Sequence, residues 1–299
     1  MKNSFQTIID STNIFKHLDY VEIGTLDLNS QEVNVYGFSQ SSEKNLPVMF
    51  DLASITKILT NGLVSFLSPD LSDECLKLCL EHQSGIPAWG LLSKYNWKDE
   101  ILSFDVNSSS TNYSDYGAIR AMLIFEKLTG KNLYKEAQKI WDKEVVHWLD
   151  IGENYHFLKT GMRNKEIILG DVHDPNAFNI KEKLSHAGLF ATSNGLLKTI
   201  NSIFKKQAFC DLLLSSKKSK PSQRFHFGWD TPANEGSLAG EGFSTDTFGH
   251  LGFTGTSVWV DLKKKKAISI LSNATRDGWY KKTELNKLRK ATGTFFWNS

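Results

Sequence analysis

Apolar and polar residues alternate over residues 20–38 (YVEIGTLDLNSQEVNVYGF), which predicts two strands with a turn at Asn29-Ser30. A third strand is predicted over residues 47–50, running directly into a helical pattern from about Ser54 to Phe66. From there to about residue 210 the pattern is mainly helical. Apolar positions recur at three- and four-residue spacing, most clearly over 118–128 and 134–148. Polar loops are predicted at 105–111 and 217–223. Strand patterns return at 258–262 and 267–271, on either side of the four lysines Lys263 to Lys266, and a closing helix is predicted over 282–289. The lysines read as a solvated hairpin turn rather than a nucleic-acid contact. Strands at both ends with helices between suggest a sheet assembled from the two ends of the chain, with a helical domain inserted. A site is then expected in the cleft between the two parts.

Composition narrows the classes. The chain has 299 residues, 40% hydrophobic and 23% charged, as in an ordinary soluble globular protein. Thirty-five Lys+Arg against 33 Asp+Glu leave a net charge of +2, which gives no electrostatic case for nucleic acid or an anionic membrane. The longest apolar runs, such as residues 121–125, are only a few residues, far below the roughly 20 that a membrane-spanning helix requires. Charged residues interrupt the first twenty positions, so no export signal is visible and a cytoplasmic location is expected. Three cysteines build no disulfide framework. Cys75 and Cys79 share a helical face and His82 follows three residues later, but no well-spaced fourth ligand is near, and they read as small buried helix residues. Neither a metal nor a cofactor is expected.

No G-x-S-x-G elbow, phosphate loop, H-E-x-x-H or C-x-x-C occurs. Ser-x-x-Lys occurs four times, starting at Ser41, Ser54, Ser202 and Ser215. Only Ser54 follows a strand and opens an apolar helix (FDLASITKILTNGLV). A serine in the first helical turn can aim its hydroxyl into a cleft, and its own N–H, unpaired at a helix start, can hold an oxyanion. Lys57 lies one turn along. A lysine buried there is expected to have a lowered pKa and to take the serine proton. Tyr113, in the polar loop TNYSDYG, could complete a proton relay to the leaving group. In FGHLGFTGTS (residues 248–257) closely spaced glycines allow a substrate to approach the backbone, where the Phe253 N–H is a second candidate oxyanion donor.

Taken in order, Ser54–Lys57, Tyr113-Ser114-Asp115 and His250-Leu251-Gly252 resemble the serine β-lactamase and penicillin-binding-protein superfamily. The likeness is to its class C-like branch of esterases, D-aminopeptidases and D,D-carboxypeptidases. LEHQSGIP (residues 80–87), DVHDPNA (171–177), SHAGLF (185–190) and GWDTP (228–232) extend the resemblance over roughly residues 20–280. It implies an α+β fold: an antiparallel sheet flanked by terminal helices (residues 1–60 and 225–299), with a mostly helical insert (61–224). It also implies acyl transfer through Ser54, Lys57 and Tyr113. Ser54, His250, Gly252 and Phe253 would form the oxyanion and substrate edge, and Asp115, His173 and Asp174 would contact substrate. His173, Asp174 and His186 could pass for a metal cluster on residue type, but the resemblance places them in loops bordering the cleft.

Two positions depart from the superfamily pattern. Asp115 stands where many members have asparagine, adding a negative charge that would keep Lys57 protonated. Leu251 replaces a hydroxyl residue that helps hold the β-lactam carboxylate, and His250 replaces a lysine. The expected function is a serine hydrolase acting on a small ester or amide, a muropeptide-like fragment among the candidates, and not an efficient β-lactamase. The alternative is a β-lactamase-fold binding or regulatory protein with little turnover. The sequence carries no signal for an oligomeric state.

Overall fold

The computed structural model describes residues 1–40, 47–278 and 282–299. Strands β1 (Tyr20–Asp27), β2 (Val33–Ser39), β3 (Val48–Asp51), β4 (Val145–His147), β5 (His156–Phe157), β6 (Lys159–Arg163), β7 (Glu166–Leu169) and β8 (Leu189–Ala191) are followed by five more near the C-terminus. These are β9 (Phe225–His226), β10 (Trp229–Asp230), β11 (Thr247–Leu251), β12 (Ser257–Asp261) and β13 (Lys266–Ser272). The main sheet is antiparallel with seven strands in the order β2-β1-β13-β12-β11-β10-β9, so the two chain ends supply it jointly. Val21 pairs with Ser272 and Asp27 with Lys266, closing the long-range β1–β13 ladder that joins them.

Helix α1 (Lys2–Asp10) and the last helix (Thr283–Trp297) cover one face of this sheet, where Phe5, Ile9, Leu288 and Trp297 pack against Ile23, Trp259 and Ile268. The other face meets the core built by Ile55, Leu59, Leu197 and Ile200 with Val258 and Val260. The α+β class, the antiparallel sheet and the flanking terminal helices are as the resemblance implies.

The middle of the chain is less uniformly helical than its periodicity suggests. Residues 134–148 do not form one helix. A helix ends at Gln138 and Val145–His147 form β4, which pairs with β8, so cross-strand partners 40 or so residues away override the local pattern. The helical run after Ser54 breaks at Thr60, where φ is −123° and ψ −83°. Gly62 lies there under the Trp229 indole, whose N–H donates to its carbonyl at 2.9 Å. A Cβ at Gly62 would stand 2.8 Å from that nitrogen, so the close approach requires glycine. The stretch predicted as a loop from 217 is helical as far as Ser219. The closing helix runs on to Trp297 rather than stopping near 289.

Candidate active site

Strand β3 leads into the turn that carries Ser54. Ala53 takes φ +46°, a left-handed conformation that is uncommon for a residue with a side chain, and Ser54 follows at the N-cap of the helix Ile55–Leu59. Asp51 holds this turn. Its Oδ1 accepts the Ala53 N–H at 2.8 Å, and its Oδ2 accepts the His173 N–H at 2.7 Å. Each carboxylate oxygen thus serves a different loop bordering the cleft. Thr254 Oγ1 donates to the Asp51 carbonyl at 2.6 Å and Thr256 Oγ1 to that of Leu52 at 3.1 Å, which fastens the turn after β11 to the same place. Among the described residues no acceptor takes the Ser54 N–H.

Lys57 is 2% exposed, and its ammonium is fully engaged. Its Nζ donates to Ser54 Oγ at 3.1 Å and to the His186 carbonyl at 3.0 Å, and it lies 2.7 Å from Asp115 Oδ1. Burial works to lower its pKa, but the charge of Asp115, with Tyr113 adding to it, outweighs burial and drives the pKa above the ordinary lysine value. The expected lowered pKa is therefore corrected: Lys57 rests as an ammonium. The buried Tyr113 hydroxyl faces Lys57 and Ser54 without completing a hydrogen bond to either. Its ring lies 4.9 Å from the Lys57 nitrogen, and burial pushes its pKa up.

The Tyr113-Ser114-Asp115 loop is clamped by the segment at 82–88. His82 Nδ1 accepts the Ser114 N–H at 3.0 Å, while its ring lies 4.6 Å from that of Tyr113. The Pro87 carbonyl takes the Ser114 hydroxyl at 2.7 Å, and that of Ala88 takes the Asp115 N–H at 2.8 Å. Ser114 in turn caps the helix Asp115–Thr129 by accepting the Gly117 N–H.

A cavity of about 580 Å³ opens over these groups. Ser54, Tyr113, Asp115, His173, Asp174 and Phe253 reach it, together with Trp89 and His186. Asp174 caps the helix Pro175–Ile180 and lies 2.9 Å from His186 Nε2. Burial would raise the Asp174 carboxyl, but His186 and the Ala177 N–H outweigh it and bring it down to about 2. The Phe253 ring is exposed at the rim, 5.3 Å from that of His173. Gly252 sits where a Cβ would meet the Leu52 carbonyl at 2.6 Å.

His250 is buried behind Tyr113, with 5.8 Å between the rings, and burial followed by the charge of Lys57 lowers its pKa to about 3. It is a neutral packing neighbour of Tyr113 and does not line the cavity. Leu251, the next residue on β11, points to the opposite face, toward Trp259 and a second cavity. Its position therefore gives no direct access to a ligand on Ser54.

Sequence reasoning missed Asp51 and His82 as organisers of the site. Both act through backbone N–H groups that only the folded chain brings to them, although the LEHQSGIP run marks where the second lies. His82 lies past the helix Glu74–Leu80 and is occupied with Ser114, and Cys79 is buried, which raises its thiol to about 12. Cys75 is exposed, so the packing expected of all three holds for Cys79 and His82 but not for Cys75. Among the described residues, Asp115, Asp174 and His186 alone place ligand-type atoms within 4.8 Å of one another, and the Lys57 ammonium already lies on Asp115. Ser202 and Ser215 are exposed on helices away from this site, and the Ser41 motif lies outside the described residues.

The chain has the fold of the serine β-lactamases and penicillin-binding proteins. A class C β-lactamase from Rhodobacter sphaeroides superposes over 99% of both chains with a TM-score of 0.65 at 13% identity. In sequence the chain is 25% identical over 245 residues to an N-acetylmuramyl-L-alanine amidase of Bacillus subtilis, covering 65% of this chain and 54% of that protein. It is 32% identical over 144 residues to a protein of Escherichia coli O157:H7 provisionally named a D-alanyl-D-alanine carboxypeptidase, covering 43% of this chain and 30% of that protein. The chain thus spans about half or less of these relatives' lengths, and all three carry the names of hydrolases. No family model matches the chain. No helix among the described residues is long and apolar enough to cross a membrane.

Proposed function

We propose that the protein is a serine hydrolase that cleaves a small ester or amide through an acyl-enzyme on Ser54. The observation that carries this reading is the 3.1 Å contact between Ser54 Oγ and a buried Lys57, beneath a cavity that Tyr113 also lines. Lys57 must first lose its resting proton to solvent, and Asp115 sets how readily it does so. Neutral Lys57 then takes the Ser54 proton as Oγ bonds to the substrate carbonyl carbon. The N–H groups of Ser54 and Phe253 receive the developing oxyanion. Tyr113 gives a proton to the leaving oxygen or nitrogen as its bond to carbon breaks, and Lys57 replenishes Tyr113. Water then attacks the acyl-enzyme by the same relay, releasing the acid and returning the proton to Ser54.

His173 and Asp174 are the substrate-side walls, and sheet and insert together form one catalytic unit. Fragments of peptidoglycan are candidate substrates, in keeping with the name of the Bacillus relative. Three free cysteines, one of them exposed, suit a reducing cytoplasm in which imported fragments would be recycled.

The Lys57–Asp115 ion pair favours a second reading, a binding protein of the same fold with little turnover. One experiment separates them. A fluorophosphonate should add its mass to the peptide carrying Ser54, and short-chain p-nitrophenyl esters should be hydrolysed by the wild type but not by Ser54→Ala. Labelling and hydrolysis both absent would leave the binding reading.

A further inference from the structure

The last helix, Thr283–Trp297, buries a stripe that includes Leu285, Leu288, Thr292 and Phe296, and one charged residue, Arg289, stands among them. It is 3% exposed. Burial lowers its pKa to about 10, and no acidic neighbour opposes that shift, so the guanidinium is charged at neutral pH with no counter-ion among the described residues. Its Nη2 donates to the Thr256 carbonyl at 2.6 Å, while its buried Nε makes no hydrogen bond among the described residues. An unpaired buried charge is strongly destabilising. Nor does the Thr256 carbonyl depend on Arg289, because it also accepts the Gly252 N–H at 2.7 Å. Stability alone gives no reason for an arginine here.

Thr256 is the residue that joins the two candidate oxyanion donors. Its carbonyl holds Gly252, which precedes Phe253, and its hydroxyl donates to the Leu52 carbonyl at 3.1 Å, two positions before Ser54. Lys282 grips the same turn from the rim. Its Nζ donates to the Phe253 carbonyl at 2.9 Å and lies 4.3 Å from the centre of the Phe253 ring. Arg289 lines neither the catalytic cavity nor the second one, so it touches no ligand in them. It stands one hydrogen bond behind the turn that carries Phe253.

The charges around the site make that position matter. Asp115 and Asp174 line the cavity, with the Lys57 ammonium 2.7 Å from the first and His186 2.9 Å from the second. Lys57 and His186 are thereby engaged with carboxylates. When Ser54 adds to a substrate carbonyl, the oxygen gains negative charge, and the two carboxylates oppose it. A fixed cation in a low-dielectric interior is screened least and needs no reorganisation as that charge forms. Lys282, only half-buried, is better screened by water.

We propose that Arg289 is a positioning residue for acyl transfer, whose unpaired charge behind the Gly252–Ser257 turn stabilises the oxyanion that forms at the N–H groups of Phe253 and Ser54. The inference rests on the hydrolase reading and adds to it a residue that never meets the substrate. Through Thr256 the guanidinium holds the turn in place, and through space it adds positive potential where the substrate oxygen gains charge. The neutral carbonyl of the bound substrate feels little of this, so the effect belongs to kcat and leaves KM nearly unchanged. The core gives up stability, and the reaction gains rate.

The test is Arg289→Met, which keeps a long side chain and removes the charge, with Arg289→Lys as the charge-retaining control. For p-nitrophenyl acetate, Arg289→Met should lower kcat by about tenfold with KM within about twofold of wild type. Phenylboronic acid, which forms an anionic tetrahedral adduct on Ser54, should bind this variant about tenfold more weakly, whereas neutral benzamide should compete as it does in wild type. The melting temperature of Arg289→Met should equal or exceed the wild-type value, since an unpaired buried charge has gone. Arg289→Lys should recover most of the lost kcat and boronate affinity. Unchanged kcat, an equal loss for benzamide and boronate, or a lysine variant as slow as the methionine one overturns the proposal. So does a methionine variant that is destabilised or unfolded, because Arg289 then serves the fold. Each of these results leaves the hydrolase reading standing when the wild type turns over the ester. No turnover and no fluorophosphonate label on Ser54 in the wild type defeats that reading, and this inference with it.

Discussion

Ser54 and Ser202 each stand three residues before a lysine, and both lie on helices, yet their surroundings have almost nothing in common. Ser202 sits near the end of the helix Ser193–Phe204, exposed, with its hydroxyl turned back to the Lys198 carbonyl at 3.0 Å. Lys205 is exposed just beyond it. A hydroxyl bonded to the preceding turn and a solvated lysine form no relay. Ser54 begins a helix instead of ending one, after a left-handed Ala53, and its lysine is enclosed on all sides. The difference lies in the turn and the burial, not in the four-residue spacing.

Replacing the serines breaks the comparison most sharply. Ser54→Ala should lower kcat/KM for an activated ester by a thousandfold or more, and Lys57→Ala by a similar factor. The double variant should be little worse than either single one, because groups acting as a unit lose activity non-additively. Ser202→Ala and Ser215→Ala should retain wild-type kinetics. Peptide mapping after fluorophosphonate treatment gives the direct check, and label on Ser202 or Ser215 would reverse the assignment.

The turn itself can be loosened without touching a reacting group. Asp51→Asn leaves one acceptor and one donor where two backbone N–H groups need two acceptors, so either Ala53 or His173 loses its bond. We expect kcat to fall by about ten- to a hundredfold with a smaller change in KM, since about 1.5–3 kcal/mol attaches to a hydrogen bond with a charged group.

The pH profile sharpens this. Burial raises the Asp51 carboxyl to about 6, against the pull of the His173 and Ala53 N–H groups; Asp174 adds to the rise and Arg163 opposes it. Protonation below that value removes one acceptor, so wild-type activity should decline as pH falls through about 6. The variant's profile should lack that limb. Stability follows the opposite sign for this group: its folded pKa lies above 3.8, so the folded state binds the proton more tightly, and acidification from 7 toward 4 favours folding through Asp51. His250, lowered to about 3, acts the other way. Its contribution is present above about 6.5 and is lost as pH falls toward 3. A pH-independent kcat in wild type between 5 and 7 would remove Asp51 from this role.

These residues also mark where sequence reading succeeds and where it stops. That Ser54, Lys57 and Tyr113 come together was legible because their types recur in a fixed order, each beside a strand end or helix start. The sheet was legible because its strands alternate or run apolar over five to eight residues. Asp51 was not, because a carboxylate two residues before a turn looks like any strand-end acid until His173 arrives from 122 positions away. The short strand β4 was hidden for a similar reason: its partner β8 lies far along the chain, and the local period imitates a helix. Lys57's raised pKa was half legible. Asp115 suggested it, and only the 2.7 Å contact decides between burial and charge.

A smaller effect concerns charge in the ligand. Among the described residues the cavity walls offer an anionic ligand two carboxylates, and the nearby ammonium groups of Lys57 and Lys282 already contact Asp115 and the Phe253 carbonyl. The Thr254 and Thr256 hydroxyls are committed to the Asp51 and Leu52 carbonyls. Nitrocefin carries a carboxylate, so its kcat/KM should fall below that of p-nitrophenyl acetate by about tenfold or more, the scale of one lost charge-assisted hydrogen bond. Faster nitrocefin turnover would mean that a cationic group reaches the ligand after all.

The smallest effect is expected from Leu251→Thr. By sequence position this residue stands where a hydroxyl would assist carboxylate binding, and restoring the hydroxyl would be the obvious way to recover β-lactam turnover. The structure turns the side chain away. Leu251 follows His250 on β11, and since successive residues face opposite sides, it packs toward Trp259 and the terminal helices while His250 faces Tyr113. A threonine there places its hydroxyl in the second cavity, beside Arg224 and Asp230. Nitrocefin and ester rates should both stay within about twofold of wild type, below the tenfold that one charge-assisted hydrogen bond would confer. The visible change should be a modest loss of thermal stability, on the order of 1 kcal/mol for trimming a half-buried leucine. A tenfold rise in nitrocefin turnover would show that β11 presents this position to the ligand, and the separation between the two faces of the strand would have to be abandoned.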